Sequence, residues 1–304
     1  MNIVITGGSG FLAQPLARTL AADAHAVVLL SRTATTTPAA RGIRCAAWTP
    51  DGTAGDWAHE IDGADAVVNL AGEPIAGLRW SPARKQRILD SRILATRSLV
   101  LAIRASASPP SALISGSAVG YYGPLGDEVV TERTPAGHDF LAIVCTRWEE
   151  EALRAASAAT RVACIRTGLV IEKDGGALKK MLPSFAFGAG GRLGSGRQYW
   201  PWIHRQDWID LVRWTLQAPS ASGPLNATAP HPVTNAAFAR ALGRALHRPA
   251  FMPAPAIALR LVLGEMADAL LLSGQRAVPA RAEALGFTFR YPRLDDALHA
   301  IFEY

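Results

Sequence analysis

Apolar and polar positions alternate in blocks along the first half of the chain. "NIVI", residues 2–5, is a short β-rich apolar run and predicts a strand. "PLARTLAA", residues 15–22, sets Leu16 and Leu20 four apart, which is the spacing of one helix face. The pair then repeats. "AVVLLSR" (26–32), "IRCAAW" (43–48) and the apolar run "DAVVNLAGEPI" (65–75) predict a second, third and fourth strand. Ser81 stands as an N-cap with Pro82 at the first helical position. Ile88, Leu89, Ile93, Thr96, Leu99, Val100 and Ile103 follow at helical spacing. "SALISGSAVGYYG" (111–123) predicts a fifth strand, residues 139–158 a long helix, and "RVACIRTGLVI" (161–171) a sixth strand. Strand and helix in alternation predict a parallel α/β sheet.

The alternation stops after Ile171. "GAGGRLGSGRQYWPWIH", residues 188–204, is a long glycine-rich loop. Loops of this length in a compact chain are commonly functional, and Trp200, Trp202, Trp208 and Trp214 argue against disorder here. The loop is expected to line a pocket at one end of a cleft, with Arg197, Gln198 and His204 as candidate substrate ligands. "MPAPA", the helical "IALRLVLGEMADALLL" and "LDDALHAIF" complete a terminal unit. The predicted division is 1–171 with 205–229 as one domain, and 172–204 with 230–304 as a smaller substrate domain.

Glycines separate the first strand from the first helix, which gives the junction a chemistry. Gly8-x-Gly10-x-x-Ala13 fits the dinucleotide fingerprint, and Gly7-x-x-Gly10-x-x-Ala13 reads equally well. One glycine permits the tight turn, Gly10 lets a pyrophosphate approach the backbone, and Ala13 lets helix and strand pack closely. The phosphates then meet free N–H groups at the helix N-terminus. Phe11 and Leu12 lie in the same turn. The second strand ends in Ser31 and Arg32, where an NAD enzyme carries an acid on the ribose hydroxyls. An acid repels a 2′-phosphate and a guanidinium pairs with it, so the cofactor predicted is NADP(H). Leu70, Ala71 and Gly72, ending the fourth strand, sit where such a sheet places its ligand.

Composition narrows the picture further. The 304 residues are 49% hydrophobic, enough for a sizeable core. A net charge of +6 is spread along the chain, and its one local concentration, Arg84, Lys85, Arg87 and Arg92, reads as a solvated helix face. No nucleic-acid module accompanies that charge. Three cysteines, Cys45, Cys145 and Cys164, form neither a zinc pattern nor a disulfide framework. No secretory leader or membrane-spanning run is legible. The expectation is a cytoplasmic protein with a small-molecule substrate, no metal, and neither nucleic acid nor membrane as partner.

"TGGSGFLA", "DAVVNLAG" and "SGSAVGYYG" resemble the extended short-chain dehydrogenase/reductases, which include nucleotide-sugar epimerases. "NLAGEPIAGLRWSPARKQRILDSRILAT", "GGRLGSGRQYWPWIH" and "PARAEALGFTFRYPRLDDAL" narrow the resemblance to an atypical, epimerase-like branch with its own C-terminal domain. The resemblance covers nearly the whole chain. It implies a Rossmann-type doubly wound parallel sheet with NADP bound and a smaller C-terminal α/β domain, but no particular substrate. Enzyme relatives carry Tyr-x-x-x-Lys on the helix after the fifth strand. Here that helix reads "DFLAIVCTRWEEEA", and aligning Glu149 with the acid that follows the motif sets Leu141 and Cys145 at those two positions. Neither residue can do the usual acid–base work. Ser117 keeps the position of the family's strand-end serine, and Tyr121 lies just beyond it, so these two are the candidate catalytic residues. Two readings stay open: an NADP(H)-dependent oxidoreductase or epimerase-like enzyme, and a non-catalytic NADP(H) sensor.

Overall fold

The structure, a computed structural model, describes residues 1–32, 41–77 and 79–303. Seven parallel strands form its central sheet: β1 (Asn2–Thr6), β2 (Ala26–Ser31), β3 (Ile43–Ala47), β4 (Ala66–Asn69), β5 (Ala112–Ala118), β6 (Arg161–Thr167) and β7 (Gly223–Ala227). Their spatial order is β7-β6-β5-β4-β1-β2-β3. The chain begins in the middle, winds outward through β2 and β3, then returns to lay β4 on the other side of β1. That reversal leaves a crevice at the carboxyl ends of β1 and β4, the ligand-binding position of open α/β sheets.

β1, β2 and β4 read as near-continuous apolar runs because both sheet faces are covered there. Successive residues of β1 go to opposite sides, Ile3 and Ile5 to one core and Val4 to the other. On the first face lie α1 (Ala13–Ala22), through Leu16 and Leu20, and the later helix over Arg205–Gln217, through Trp208, Leu211 and Val212. On the second lies α2 (Pro82–Ala105), through Leu99, Val100 and Ile103. Each such side chain, fully buried, stabilises the fold by about 1.5–3 kcal/mol. Ser81 caps α2 as its sequence predicts, its Oγ accepting from the Arg84 N–H at 3.2 Å.

Three elements differ from the sequence expectation. The helix expected over 139–158 is α3 (Phe140–Leu153), capped by Asp139. The sixth run breaks at Gly168, where a side chain would collide with the Pro201 carbonyl. Beyond the break, Leu169–Ile171 leaves the sheet and pairs with Trp202–His204. The edge strand β7 carries no apolar run of its own, since "GPLNA" starts with glycine and proline, and it is legible only through its pairing with β6.

A separate core holds α4 (Gly176–Ala186), the strand Trp202–His204, and two further helices over Asn235–Ala245 and Leu294–Phe302. It is built from Leu178, Phe185, Trp202, Phe238, Leu242, Leu298 and Ile301. The segment between is shared, because Ala282, Phe287 and Phe289 pack back onto the core of the sheet. No helix among the described residues is long and apolar enough to cross a membrane.

Candidate functional site at the carboxyl ends of the strands

The β1–α1 turn is held by main-chain bonds and by the Gln14 side chain, whose Nε2 donates to the Gly8 carbonyl. Gly7 adopts φ +70°, a conformation costly to residues with a Cβ, and a side chain there would sit 2.7 Å from the Leu70 carbonyl oxygen. The Gly10 N–H donates to the Gly7 carbonyl at 2.8 Å and closes the turn. A Cβ on Gly10 would meet only Gly7 O at 3.0 Å and Ala13 at 3.9 Å, so its outer side is open. No side chain caps α1 and no acid lies in its first turn. The Gln14 N–H already donates to the Gly10 carbonyl at 3.3 Å and Pro15 has no N–H, so the helix end offers an anion its dipole and the Ala13 N–H. Gly10 leaves the main chain uncovered at the helix end, where a pyrophosphate would approach, so these residues fit a dinucleotide. Phe11 turns away from the cradle, with its ring packed on Gly175 and Gly176 under the guanidinium of Arg205 at 5.1 Å. Leu12, half-buried, packs against the sheet core.

Ser31 ends β2, half-buried, and its carbonyl accepts from Trp48 N–H at 3.0 Å. Arg32 follows, exposed, with no hydrogen bond or ion pair among the described residues. Across the crevice, Leu70, Ala71 and Gly72 are fixed by a polar network that the sequence reading missed. Thr6 Oγ1 donates to Asn69 Oδ1 at 2.8 Å and accepts from the Leu70 N–H at 3.1 Å. Asn69 Nδ2 and Trp148 Nε1 each donate to Thr96 Oγ1 at 2.9 Å. By its spacing Thr96 is one position of an apolar helix face. The signal available was Asn69, a polar residue interrupting an apolar strand, because a buried amide needs partners.

Ser117, expected at the strand end, is there and buried, but its hydroxyl donates to Glu149 Oε1 at 2.6 Å. Glu149 also receives Arg166 through two N–H groups, each at 2.8 Å. Burial works against the charge of Arg166, and the Glu149 carboxylate more than offsets it, holding the guanidinium pKa above its ordinary value. Arg166 donates further to Tyr122 Oη at 3.0 Å, and Tyr122 donates to Asn226 Oδ1 at 2.7 Å. Burial pushes the Tyr122 phenol up to about 12. Tyr121, half-buried, lays its ring against the same guanidinium, with Cζ 3.4 Å from the ring centroid.

The two positions of the expected acid–base pair are inert. Leu141 packs toward Gly120. The Cys145 thiol is buried beside Ser117 and Arg92, and burial raises its pKa to about 11. A neutral thiol of that kind is a poor nucleophile.

Arg84, Lys85, Arg87 and Arg92, expected as one solvated face, divide in the structure. Only Arg87 is exposed. Arg84 pairs with Glu73 at 3.2 Å and Lys85 with Glu265, while Arg92 folds inward against Gly72 and Trp148. The helix turns that side toward neighbouring segments rather than water.

The glycine-rich loop is ordered by pairing with residues 252–254: Met252 N–H donates to Gly190 O at 3.1 Å, and Ala254 N–H to Arg192 O at 2.9 Å. Its end passes beyond the carboxyl end of β6. Arg197 is exposed. Gln198 is buried and donates to the carbonyls of Leu193 and Leu271 at 3.0 and 2.7 Å, while its Oε1 has no partner. His204 accepts the Gln206 N–H at 3.0 Å as the N-cap of α5 (Arg205–Gln217), and its ring stacks on Tyr291 at 4.2 Å. Burial lowers its pKa to about 4. In this structure Gln198 and His204 thus serve the fold with most of their polar groups. Among the described residues no cluster of His, Cys, Asp and Glu could hold a metal ion.

This sheet order, with a glycine cradle beside its switch point, is that of the Rossmann class. The chain belongs to the NAD dependent epimerase/dehydratase family, whose model matches residues 3–227. A second model, Domain of unknown function (DUF1731), matches residues 254–301. The chain is 42% identical over 305 residues to the chloroplastic epimerase family protein SDR39U1 homolog of Arabidopsis thaliana, covering 100% of this chain and 87% of that protein. It is 38% identical to epimerase family protein YfhF of Bacillus subtilis, covering 98% and 97%. The crystal structure of human epimerase family protein SDR39U1 (isoform2) with NADPH superimposes with a TM-score of 0.91 at 36% identity, over 100% of this chain and 99% of that one.

Proposed function

We propose that this chain is an NADP(H)-dependent oxidoreductase or epimerase-like enzyme that acts on a small polar substrate without the usual tyrosine–lysine pair. The observation that carries the reading is the glycine cradle followed, at the end of β2, by an exposed arginine where an NAD enzyme has an acid. The human relative that was crystallised with NADPH supports it. Gly7, Gly10, Phe11 and Leu12 form the pyrophosphate turn. Ser31 and Arg32 take the 2′-phosphate. Leu70, Ala71 and Gly72 border the nicotinamide half. When bound, the nucleotide supplies a hydride donor or acceptor. Hydride transfer to a carbonyl also needs a proton. Tyr121 is the best source, because its neighbour Tyr122 and Ser117 are already bonded to other residues. Arg197, Gln198 and His204 border the substrate side, with Gln198 Oε1 as the free acceptor. The three free thiols suit a reducing compartment such as the cytoplasm.

A second reading has its own observation: Leu141 and Cys145 are packed and inert, as a non-catalytic NADP(H) sensor would allow. Titration decides the cofactor. NADPH is expected to bind at least about tenfold more tightly than NADH, since a charge-assisted hydrogen bond contributes about 1.5–3 kcal/mol. Arg32→Asp should abolish that preference, and equal affinities in the unaltered protein would refute the assignment. Turnover with a panel of sugar nucleotides, aldehydes and ketones, followed at the NADPH absorbance, separates enzyme from sensor. Slow turnover that Tyr121→Phe removes favours the enzyme, and bound NADPH that no substrate consumes favours the sensor.

A further inference from the structure

Among the described residues, one guanidinium beside the cleft has no anion in contact with it. Arg92 stands on α2, one turn before Thr96. Its Cζ lies 5.1 Å from the Trp148 ring, on α3. On the other side it packs on the backbone of Gly72, where a Cβ would come within 3.0 Å of it. Arg92 Nη1 donates to Ile88 O at 2.9 Å and Nη2 to Glu73 O at 3.1 Å. Both acceptors are neutral carbonyls, and they use only part of a five-donor fork.

The surrounding charges do not neutralise it. The Glu73 carboxylate is nearby but pairs with Arg84 at 3.2 Å. Arg84, Glu73 and Arg92 together therefore carry a net positive charge. Lys85, on the same helix, is matched by Glu265. Cys145, the remaining titratable neighbour, is a buried thiol and supplies no anion. A charge withdrawn from water without a counter-ion is costly, and a planar guanidinium with N–H groups to spare matches a carboxylate or phosphate.

Its location says what that anion touches. Gly72 is exposed at the carboxyl end of β4, and Cys145 stands where enzyme relatives carry the lysine. We propose that Arg92 is an anion-binding residue of the cleft, and that the substrate presents a carboxylate or phosphate group to its guanidinium beside Gly72. This rests on the reading of the cleft as the nicotinamide end of an NADP(H) site. The bare glycine makes room for the guanidinium itself against the main chain, and the N–H groups left by Ile88 and Glu73 are those offered to the anion. The fixed positive charge that the missing lysine would supply is then Arg92's, held from α2 instead of α3.

The test uses oxalate and inorganic phosphate as separate probes, with chloride at matched ionic strength as control. Trp148 under the guanidinium makes tryptophan fluorescence the readout, so no cofactor is required. Saturable quenching is expected in the unaltered protein, at least about tenfold weaker in Arg92→Gln and partly kept in Arg92→Lys. Which anion quenches at lower concentration distinguishes carboxylate from phosphate. Binding of 2′,5′-ADP, measured calorimetrically on each variant, is expected to stay unchanged and reports that the fold and cradle are intact. Failure of 2′,5′-ADP to bind the unaltered protein would overturn the nucleotide reading alone. No saturable quenching by either anion, or equal affinity in Arg92→Gln, would overturn the anion site.

Discussion

Glu149 accepts two N–H groups of Arg166 and the hydroxyl of Ser117 where water is excluded. Removing one partner of such a pair leaves the other charge buried and alone. Glu149→Gln is therefore expected to cost about 3–5 kcal/mol in urea unfolding, more than an ordinary surface change. His204 makes a second prediction, about pH. Its folded pKa of about 4 lies below that of a free imidazole, so the unfolded chain binds more protons between roughly pH 6.5 and 4. Stability is thus full above the free-imidazole pKa and falls as pH drops through that window. Between pH 7 and 5 the loss from this group is on the order of 2 kcal/mol. His204→Asn keeps a good N-cap, and paired urea titrations at the two pH values should show a correspondingly smaller loss.

At the scale of elements, the β1–α1 turn separates two uses of glycine. Gly7 serves the fold, with φ +70° and Leu70 O 2.7 Å from where a Cβ would lie. Gly7→Ala is expected to lower stability by about 2 kcal/mol or more, read by thermal or urea unfolding. Gly10 has no positive φ and faces open space on its outer side. Gly10→Val should cost less stability than Gly7→Ala, the Cβ meeting only Gly7 O at 3.0 Å and Ala13, and should remove NADPH binding, because the branched side chain occupies the phosphate position. Normal NADPH affinity in that variant would show that the turn does not cradle phosphate.

Across the whole molecule, the sheet and the separate core are joined through α5. Asp207 accepts the N–H groups of Arg290 and Tyr291 at 2.7 and 2.9 Å, from inside the protein. It ties the C-terminal segment to a helix that lies on the sheet. Hydrogen bonds to a charged group contribute about 1.5–3 kcal/mol, so Asp207→Ala should destabilise by about 3 kcal/mol. New proteolytic cleavage near residue 290, ahead of global unfolding, is the local signature expected.

The sequence by itself determined the elements whose burial is complete or whose backbone is special. Six of the seven strands are legible as short apolar-rich runs, most plainly β1, β2 and β4, which are covered on both faces and have little polar register to display. The glycine cradle is legible because few other residues fit it, and the loss of the acid–base pair because no tyrosine or lysine occurs in α3. Tertiary structure alone decided where single polar groups point. Thr96 lies on an apolar helix face, yet it accepts from Asn69 and Trp148. Arg84 and Arg92 belong to a basic stretch like that of any solvated helix, yet both turn inward. Ser117 has the sequence position of a reacting hydroxyl and the partners of a structural one. A side chain's neighbour is set by which strands and helices the fold brings together, often tens of residues apart, and hydrophobic periodicity records only which face is buried.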